Sequence, residues 1–117
     1  MKPEDFGITK YKFNPDGTLD VFQDVNLIGM NLIELPFNFG KIDGYFMCGG
    51  NKFKNLKGAP YEVSGDFYCE NNNKLTSLYG LNLNGISGKI YLYGALNLKL
   101  TEKEQLWMTF NPWRLML

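Results

Sequence analysis

Residues 42–48 read Ile-Asp-Gly-Tyr-Phe-Met-Cys, and residues 63–69, 21 positions later, read Val-Ser-Gly-Asp-Phe-Tyr-Cys. A third copy, Ile-Ser-Gly-Lys-Ile-Tyr-Leu, occupies residues 86–92, 23 positions after the second. Each copy has the pattern apolar-x-Gly-x-apolar-x-apolar, which is the period-two alternation of a half-buried strand. A repeat of this length predicts one structural unit per copy, with several units stacked to bury a shared core.

The rest of each unit is a short polar arc that contains Asn, followed by two apolar residues three positions apart. An Asn at such a corner tolerates unusual backbone angles and can hydrogen-bond backbone groups there. The sequence therefore predicts a mainly β fold, a short leucine-rich-repeat-like solenoid of about four coils of about 21 residues each. The unit that best fits the spacing L-x-L-x-x-N-x-L has these residues at the fixed positions: Phe46, Cys48, Asn51 and Phe53.

The two ends of the chain depart from the repeat and predict caps. Residues 8–13 alternate and are followed by the turn sequence Asn-Pro-Asp-Gly, which is typical of a β-hairpin. Thr101 and Glu104 have the spacing of a capping box, so we expect a short helix over about residues 101–110. The predicted organisation is one domain with three parts: an N-terminal hairpin cap (1–24), repeat coils (25–98), and a C-terminal helical cap and tail (99–117).

Residues 58–78 resemble a known repeat family. They read Gly-Ala-Pro-Tyr-Glu-Val-Ser-Gly-Asp-Phe-Tyr-Cys-Glu-Asn-Asn-Asn-Lys-Leu-Thr-Ser-Leu. This is similar to the tandem unit V-x-G-x-F-x-C-x-x-N-x-L-T-S-L-x-G-x-P of leucine-rich-repeat-like proteins encoded by tailed bacteriophages. Residues 8–17 look like the usual start of those proteins, and the resemblance covers about residues 8–92. It implies a phage source and the repeat scaffold, and it leaves the activity open.

Composition excludes several classes of function. The chain has 117 residues, with 12 basic and 12 acidic side chains and no histidine. Zero net charge argues against direct nucleic-acid binding, which needs a basic surface. Without histidine, the commonest general base and the commonest metal ligand are missing, and two cysteines cannot build a four-cysteine zinc site. We therefore expect a protein that is not an enzyme and that uses no cofactor and no metal.

The sequence also bears on location. The N-terminus lacks an apolar run of signal-peptide length, and no window approaches the roughly 18 apolar residues needed to span a bilayer. We therefore expect no membrane association, and free thiols in a reducing compartment. Together with the phage resemblance, this places the protein in the cytoplasm of a bacterial host.

Two groups of residues have both a structural and a chemical interpretation. Cys48 and Cys69 occupy the same repeat position, so they are expected to lie side by side. Buried apolar thiols are the favoured interpretation, ahead of a redox pair or half of a metal site. The carboxylates of Asp24, Asp43 and Asp66 follow the predicted sheet, and they are the candidates for an unrecognised hydrolase, since glycosidases need only two carboxylates.

Strand positions that point away from the core form the candidate binding face. Tyrosine and methionine are enriched at protein interfaces, and sheet faces are the usual binding surfaces of repeat proteins. Aromatic ladders also stabilise neighbouring strands by cross-strand packing, so both interpretations stay open. The predicted partner-binding residues are Asp24, Asn26, Tyr45, Met47, Asp66, Tyr68, Lys89, Tyr91 and Tyr93.

The leading functional hypothesis is a non-catalytic protein-binding module. The phage resemblance makes it an accessory protein that binds and inhibits a host protein, for example in an anti-defence or anti-CRISPR role. One alternative is a structural or self-assembling virion-associated protein, in which the apolar tail 113–117 mediates homo-oligomer formation; otherwise the tail folds back on the helix. A second alternative is a carbohydrate-binding module in which a sugar stacks on the tyrosines.

Overall fold

Two small sheets hold most of the regular structure in the computed structural model, which describes all residues 1–117. In spatial order, the first sheet contains β1 (Tyr11–Phe13), β2 (Leu19–Val21), β4 (Phe39–Ile42) and β6 (Glu62–Val63). The second sheet contains β3 (Val25–Asn26), β5 (Phe46–Met47), β7 (Phe67–Tyr68), β8 (Ile90–Tyr91) and β9 (Leu115–Met116). Strands β1 and β2 form an antiparallel hairpin, and all other neighbours pair in parallel.

Helical segments lie at both ends of the chain and before β8. Short 3-10 helices span Pro3–Phe6 and Leu83–Gly85, and the α-helix α1 spans Glu102–Phe110. Thr101 caps α1: its hydroxyl accepts from the Glu104 amide at 3.1 Å, while the Glu104 carboxylate accepts from the Thr101 amide at 2.8 Å. The helix predicted from the capping box is therefore confirmed.

The predicted fold class is wrong. The molecule is a compact α/β fold with two mostly parallel sheets, 14% helix and 20% strand, and not a mainly β solenoid. Its Cα radius of gyration of 13.4 Å agrees with a compact domain of this length. The strands are only two to four residues long, so β structure does not dominate the chain.

The physical reason for this error lies in the repeated segment, which we interpreted as one continuous strand. The chain bends at Asp43 and Gly44, where Gly44 adopts a φ of 146° that side-chain-bearing residues rarely reach. Strand β4 therefore ends at Ile42 in the first sheet, and β5 begins at Phe46 in the second. The first two copies of the repeat therefore divide their apolar residues between two sheets, and in the third copy Ile86 forms an isolated parallel bridge to Val63.

The register of the second sheet follows the spacing of the sequence repeat. Neighbouring partners in the inward row are Val25, Phe46, Phe67, Ile90 and Leu115, and all five are buried. The rings of Phe46 and Phe67 stack at 5.6 Å with an interplanar angle of 5°. Burial of each such side chain contributes about 1.5–3 kcal/mol, so this row is a main source of stability.

The core lies between the two sheets and contains 22 buried hydrophobic residues. Phe39 of the first sheet meets Phe46 of the second edge-to-face, with ring centroids 4.9 Å apart. Cys48 and Cys69 are free and fully buried, as predicted. Burial, together with a hydrogen bond to the neighbouring Cys69, raises the pKa of the Cys48 thiol well above its ordinary value.

The buried side chain of Asn51, which follows β5, stabilises the turn that follows the neighbouring strand β3. The side-chain amide of Asn51 donates to the carbonyl oxygens of Leu27 at 2.8 Å and Cys48 at 3.1 Å. Its side-chain oxygen accepts from the backbone amides of Met30 at 3.1 Å and Leu32 at 3.0 Å. Asn51 therefore pairs backbone groups that would otherwise lose their partners on burial.

Asn72 occupies the equivalent position in the next copy of the repeat, with fewer partners. Its side-chain amide donates to the carbonyl oxygens of Cys48 at 3.2 Å and Cys69 at 3.3 Å. Its side-chain oxygen is buried and accepts no hydrogen bond. The same residue type therefore makes fewer and longer hydrogen bonds at this turn than at the first.

The C-terminal residues complete the second sheet. Strand β9 lies beside β8, and Leu115 is buried in the core. The Arg114 guanidinium donates to the carbonyl oxygens of Ile86 and Gly88 and lies 5.3 Å above the Trp107 ring. The tail therefore joins the sheet edge instead of folding back only on the helix. None of the helices has the length and apolar character needed to cross a membrane.

Candidate functional site

An outward-facing row of side chains crosses the second sheet. Because side chains alternate along a strand, the residues that follow the buried inward row point to the opposite face. Parallel neighbours lie about 4.8 Å apart, which is close enough for direct side-chain contact. The register places these outward residues next to one another: Asn26, Met47, Tyr68, Tyr91 and Met116.

Four tyrosines form a continuous aromatic surface here, which we call the tyrosine row (Tyr45, Tyr68, Tyr91 and Tyr93). Tyr68 and Tyr91 stack with ring centroids 4.8 Å apart and an interplanar angle of 3°. Tyr45 meets Tyr68 edge-to-face at 6.0 Å, and Tyr93 lies 6.2 Å from Tyr91. The outer members Tyr45 and Tyr93 are 46% and 48% exposed, and the inner two are half-buried.

The Asp66 carboxylate fixes the inner part of the row. One of its oxygens accepts from the Lys89 backbone amide at 2.7 Å, and the other accepts from the Tyr68 hydroxyl at 3.0 Å. Because the carboxylate accepts this hydrogen bond from the neutral phenol, it raises the pKa of Tyr68 to about 12. Asp66 therefore holds Tyr68 in one orientation and ties β7 to the start of β8.

Asp24 has the same structural role at the other side of the sheet. Its carboxylate accepts from the Tyr45 backbone amide at 2.8 Å. Asp20 does the same for the Lys41 amide at 2.9 Å in the first sheet, and this hydrogen bond is the main reason that the pKa of Asp20 is lowered. These carboxylates therefore bridge neighbouring strands by hydrogen bonds to backbone amides.

The remaining predicted residues differ in their position relative to the row. The side-chain oxygen of Asn26 accepts from the Ile28 amide at 3.1 Å and stabilises its own turn. The side chains of Asp24 and Lys89 are exposed at the margin of the row, and Met47 lies within it. Asp43 is exposed, and its carboxylate accepts from the Ser64 hydroxyl at 3.4 Å. The structure therefore brings the tyrosines and Met47 together, while the acidic residues organise the backbone around them.

Sequence reasoning missed Met116 as a member of this surface. The tail carries no copy of the repeat, so nothing in its spacing aligned it with β8. The available signal was the apolar sequence Leu-Met-Leu at 115–117, which is compatible with a short strand. Met116 extends the outward row onto a fifth strand.

No group of three or more His, Cys, Asp or Glu side chains is arranged to hold a metal ion. Comparison of the chain with protein-family models, with curated proteins and with solved structures found no match.

Proposed function

We propose that this protein is a non-catalytic protein-binding module whose contact surface is the tyrosine row with Met47 and Met116. The observation that carries this proposal is the continuous aromatic surface formed by four tyrosines at three neighbouring strands of one sheet, β5, β7 and β8. Tyrosine buries a large apolar area while its hydroxyl keeps a polar contact, which is why it is frequent among residues that dominate binding energy.

The row is also pre-organised for binding. Asp66 restrains the Tyr68 hydroxyl, and the stacked ring of Tyr91 restrains the Tyr68 ring. A surface that is already ordered loses less conformational entropy when a partner binds. The exposed Asp24 and Lys89 provide charges at its margin, which fits an interface with an apolar centre and a polar rim.

We take the partner to be a protein of a bacterial host, which this module binds and inhibits. The resemblance of residues 58–78 to phage-encoded repeat proteins supports this part of the proposal. A carbohydrate ligand is less well supported, because Tyr68 and Tyr91 cover one another's faces and leave less ring surface for a sugar.

The test is affinity capture of the tagged protein from a bacterial host, followed by mass spectrometry. The variant Tyr45→Arg/Tyr93→Arg changes the most exposed members of the row and leaves the inner stack intact. The matched control is Tyr61→Arg/Tyr79→Arg, which changes two tyrosines that are 65% and 67% exposed and lie outside the row. We expect wild type and control to retain one stoichiometric host protein and the row variant to lose it. Equal retention by both variants would contradict the assignment of this surface.

A second candidate function is self-association through the C-terminal segment. Four large apolar side chains there are more than half exposed: Leu106, Phe110, Trp113 and Leu117. Contiguous exposed apolar residues often mark a contact with another chain. Light scattering at increasing concentration tests this candidate, since Phe110→Ser/Trp113→Ser should lower the mass of a self-associating protein. A wild-type monomer at the highest concentration would exclude it.

A further inference from the structure

A groove of about 700 Å³ lies among three loops, away from the tyrosine row. Its walls come from residues 33–38 between β3 and β4, residues 52–57 between β5 and β6, and Lys74 between β7 and β8. The volume falls within the range of about 300–1,000 Å³ that is usual for small-molecule sites. No residue of the groove belongs to the tyrosine row, so the two surfaces are separate.

The groove concentrates positive charge. Four lysines and one acidic residue, Glu34, line the groove, so the formal charge of the groove is +3. The chain as a whole has 12 basic and 12 acidic residues and no net charge. Like charges gathered at one concavity repel each other, and a multiply charged anion bound between them relieves that repulsion. The groove is lined by four exposed lysines: Lys52, Lys54, Lys57 and Lys74.

The backbone beneath the lysines is well anchored. The Lys52 amide donates to the Leu32 carbonyl at 2.7 Å, and the Lys54 carbonyl accepts from the Thr76 amide at 3.0 Å. Phe53 lies between these lysines and is completely buried, which directs its neighbours outward. The Lys57 amide donates to the Asn55 side-chain oxygen at 3.0 Å. The backbone positions of Lys52, Lys54 and Lys57 are thus set by the fold and not by a free loop.

We propose that this groove binds a small ligand that carries two or more phosphate groups. Lysine ammonium groups act as point charges that suit phosphate oxygens, whereas planar bidentate recognition of a carboxylate favours arginine, which the groove lacks. Ile33, Pro36 and Phe37 add an apolar wall beside the lysines. Phosphate groups alone would engage the lysines, and a nucleotide would also place its base on the apolar wall.

The experiment measures binding of inorganic tripolyphosphate and of ATP, both without metal, by isothermal titration calorimetry at low and moderate salt. The groove variant carries Lys52→Gln, Lys54→Gln, Lys57→Gln and Lys74→Gln. The control variant carries Lys10→Gln, Lys12→Gln, Lys99→Gln and Lys103→Gln, which are exposed and outside the groove. Both variants lose four positive charges, and circular dichroism checks that both are folded.

We expect saturable one-to-one binding to wild type that is weakened at least about tenfold in the groove variant and less than about threefold in the control. A higher affinity for ATP than for tripolyphosphate would assign the base to the apolar wall, and equal affinity would assign recognition to the phosphates; both support the proposal. No saturable binding, or equal losses in the two variants, would overturn it. Tighter binding of a hexaglutamate peptide to the same lysines would overturn the choice of phosphate.

Discussion

Replacing each of the two equivalent asparagines with alanine should destabilise the protein by different amounts. Asn51→Ala removes a side-chain oxygen that accepts hydrogen bonds from two backbone amides. It also removes a side-chain NH2 group that donates to backbone carbonyls, with the shortest distance, 2.8 Å, to the Leu27 oxygen. Asn72→Ala removes donor contacts of 3.2–3.5 Å and an oxygen that has no partner. The volume deleted is the same in both variants, so the comparison isolates the hydrogen bonds.

The expected magnitudes follow from these partners. A buried backbone group left without a partner costs about 1–3 kcal/mol, and Asn51→Ala leaves several, some of them close to solvent, so we expect a loss of about 3–4 kcal/mol. Asn72→Ala removes longer donor contacts, which lowers the stability, but it also removes an oxygen whose burial without a partner is unfavourable. The second effect offsets part of the first, so we expect a net loss of about 1–2 kcal/mol. A difference of about 2 kcal/mol is large beside the total of about 5–15 kcal/mol that is usual for a domain.

Equilibrium unfolding in urea, followed by tryptophan fluorescence and circular dichroism, measures both losses. The dependence of the unfolding free energy on urea should stay unchanged, because the same surface is exposed on unfolding. Thermal unfolding should show the same order, with midpoints about 8 °C apart for this chain length. Equal losses in the two variants, or a larger loss in Asn72→Ala, would refute the reasoning from hydrogen-bond partners.

Three further predictions concern a tyrosine, the thiols and the glycines. Ultraviolet titration should reveal one tyrosine that ionises near pH 12, and Tyr68→Phe should remove that step; because the pKa of the folded state lies above the ordinary 10.0, the linked stability is complete below about pH 10 and is lost as the pH rises toward 12. If the urea midpoint of wild type does not fall relative to that of Tyr68→Phe between pH 10 and 12, the assignment of this step to Tyr68 is wrong. Ellman's reagent should modify Cys48 and Cys69 only as fast as the protein unfolds, since both are buried and the pKa of Cys48 is raised; a rapid phase without denaturant would show that a thiol is accessible. Gly80→Ala should lower the melting temperature far more than Gly17→Ala. Both glycines have positive φ, but only at Gly80 would the new methyl group collide with the Leu56 carbonyl. Similar melting temperatures of the two variants would show that the chain around Gly80 moves aside.

The sequence repeat predicted local pairing better than it predicted the fold class. The spacing between Phe46 and Phe67 correctly indicated equivalent positions, because these two residues are partners in the parallel pair of β5 and β7. The spacing could not show that the chain bends at Asp43 and Gly44, so that Ile42 lies in the first sheet and Phe46 in the second. A glycine in an alternating pattern is compatible with a strand or with a bend, and the partners that decide between them are distant in sequence.

The candidate binding surface was predicted in part for a similar reason. The outward tyrosines followed from period-two alternation, so Tyr68 and Tyr91 were expected on one face. The hydrogen bonds of Asp24 and Asp66 to the next strand depend on side-chain orientation, which a single sequence does not specify. The lysines of the groove are distributed over more than twenty residues and each alone is typical of a solvated surface, so their convergence could be seen only in three dimensions.

The shortness of the strands has a consequence for solubility. The second sheet ends at β3 on one side and at β9 on the other, and each of these edge strands has only two residues. Exposed strand edges can template the addition of further chains, and long, flat, apolar edges are the most prone to do so. Beyond β3 the chain turns at Gly29 and Asn31, which both have positive φ, so an added strand would find few consecutive hydrogen-bonding groups. A two-residue edge strand followed by this turn is therefore a poor template for the growth of a fibril.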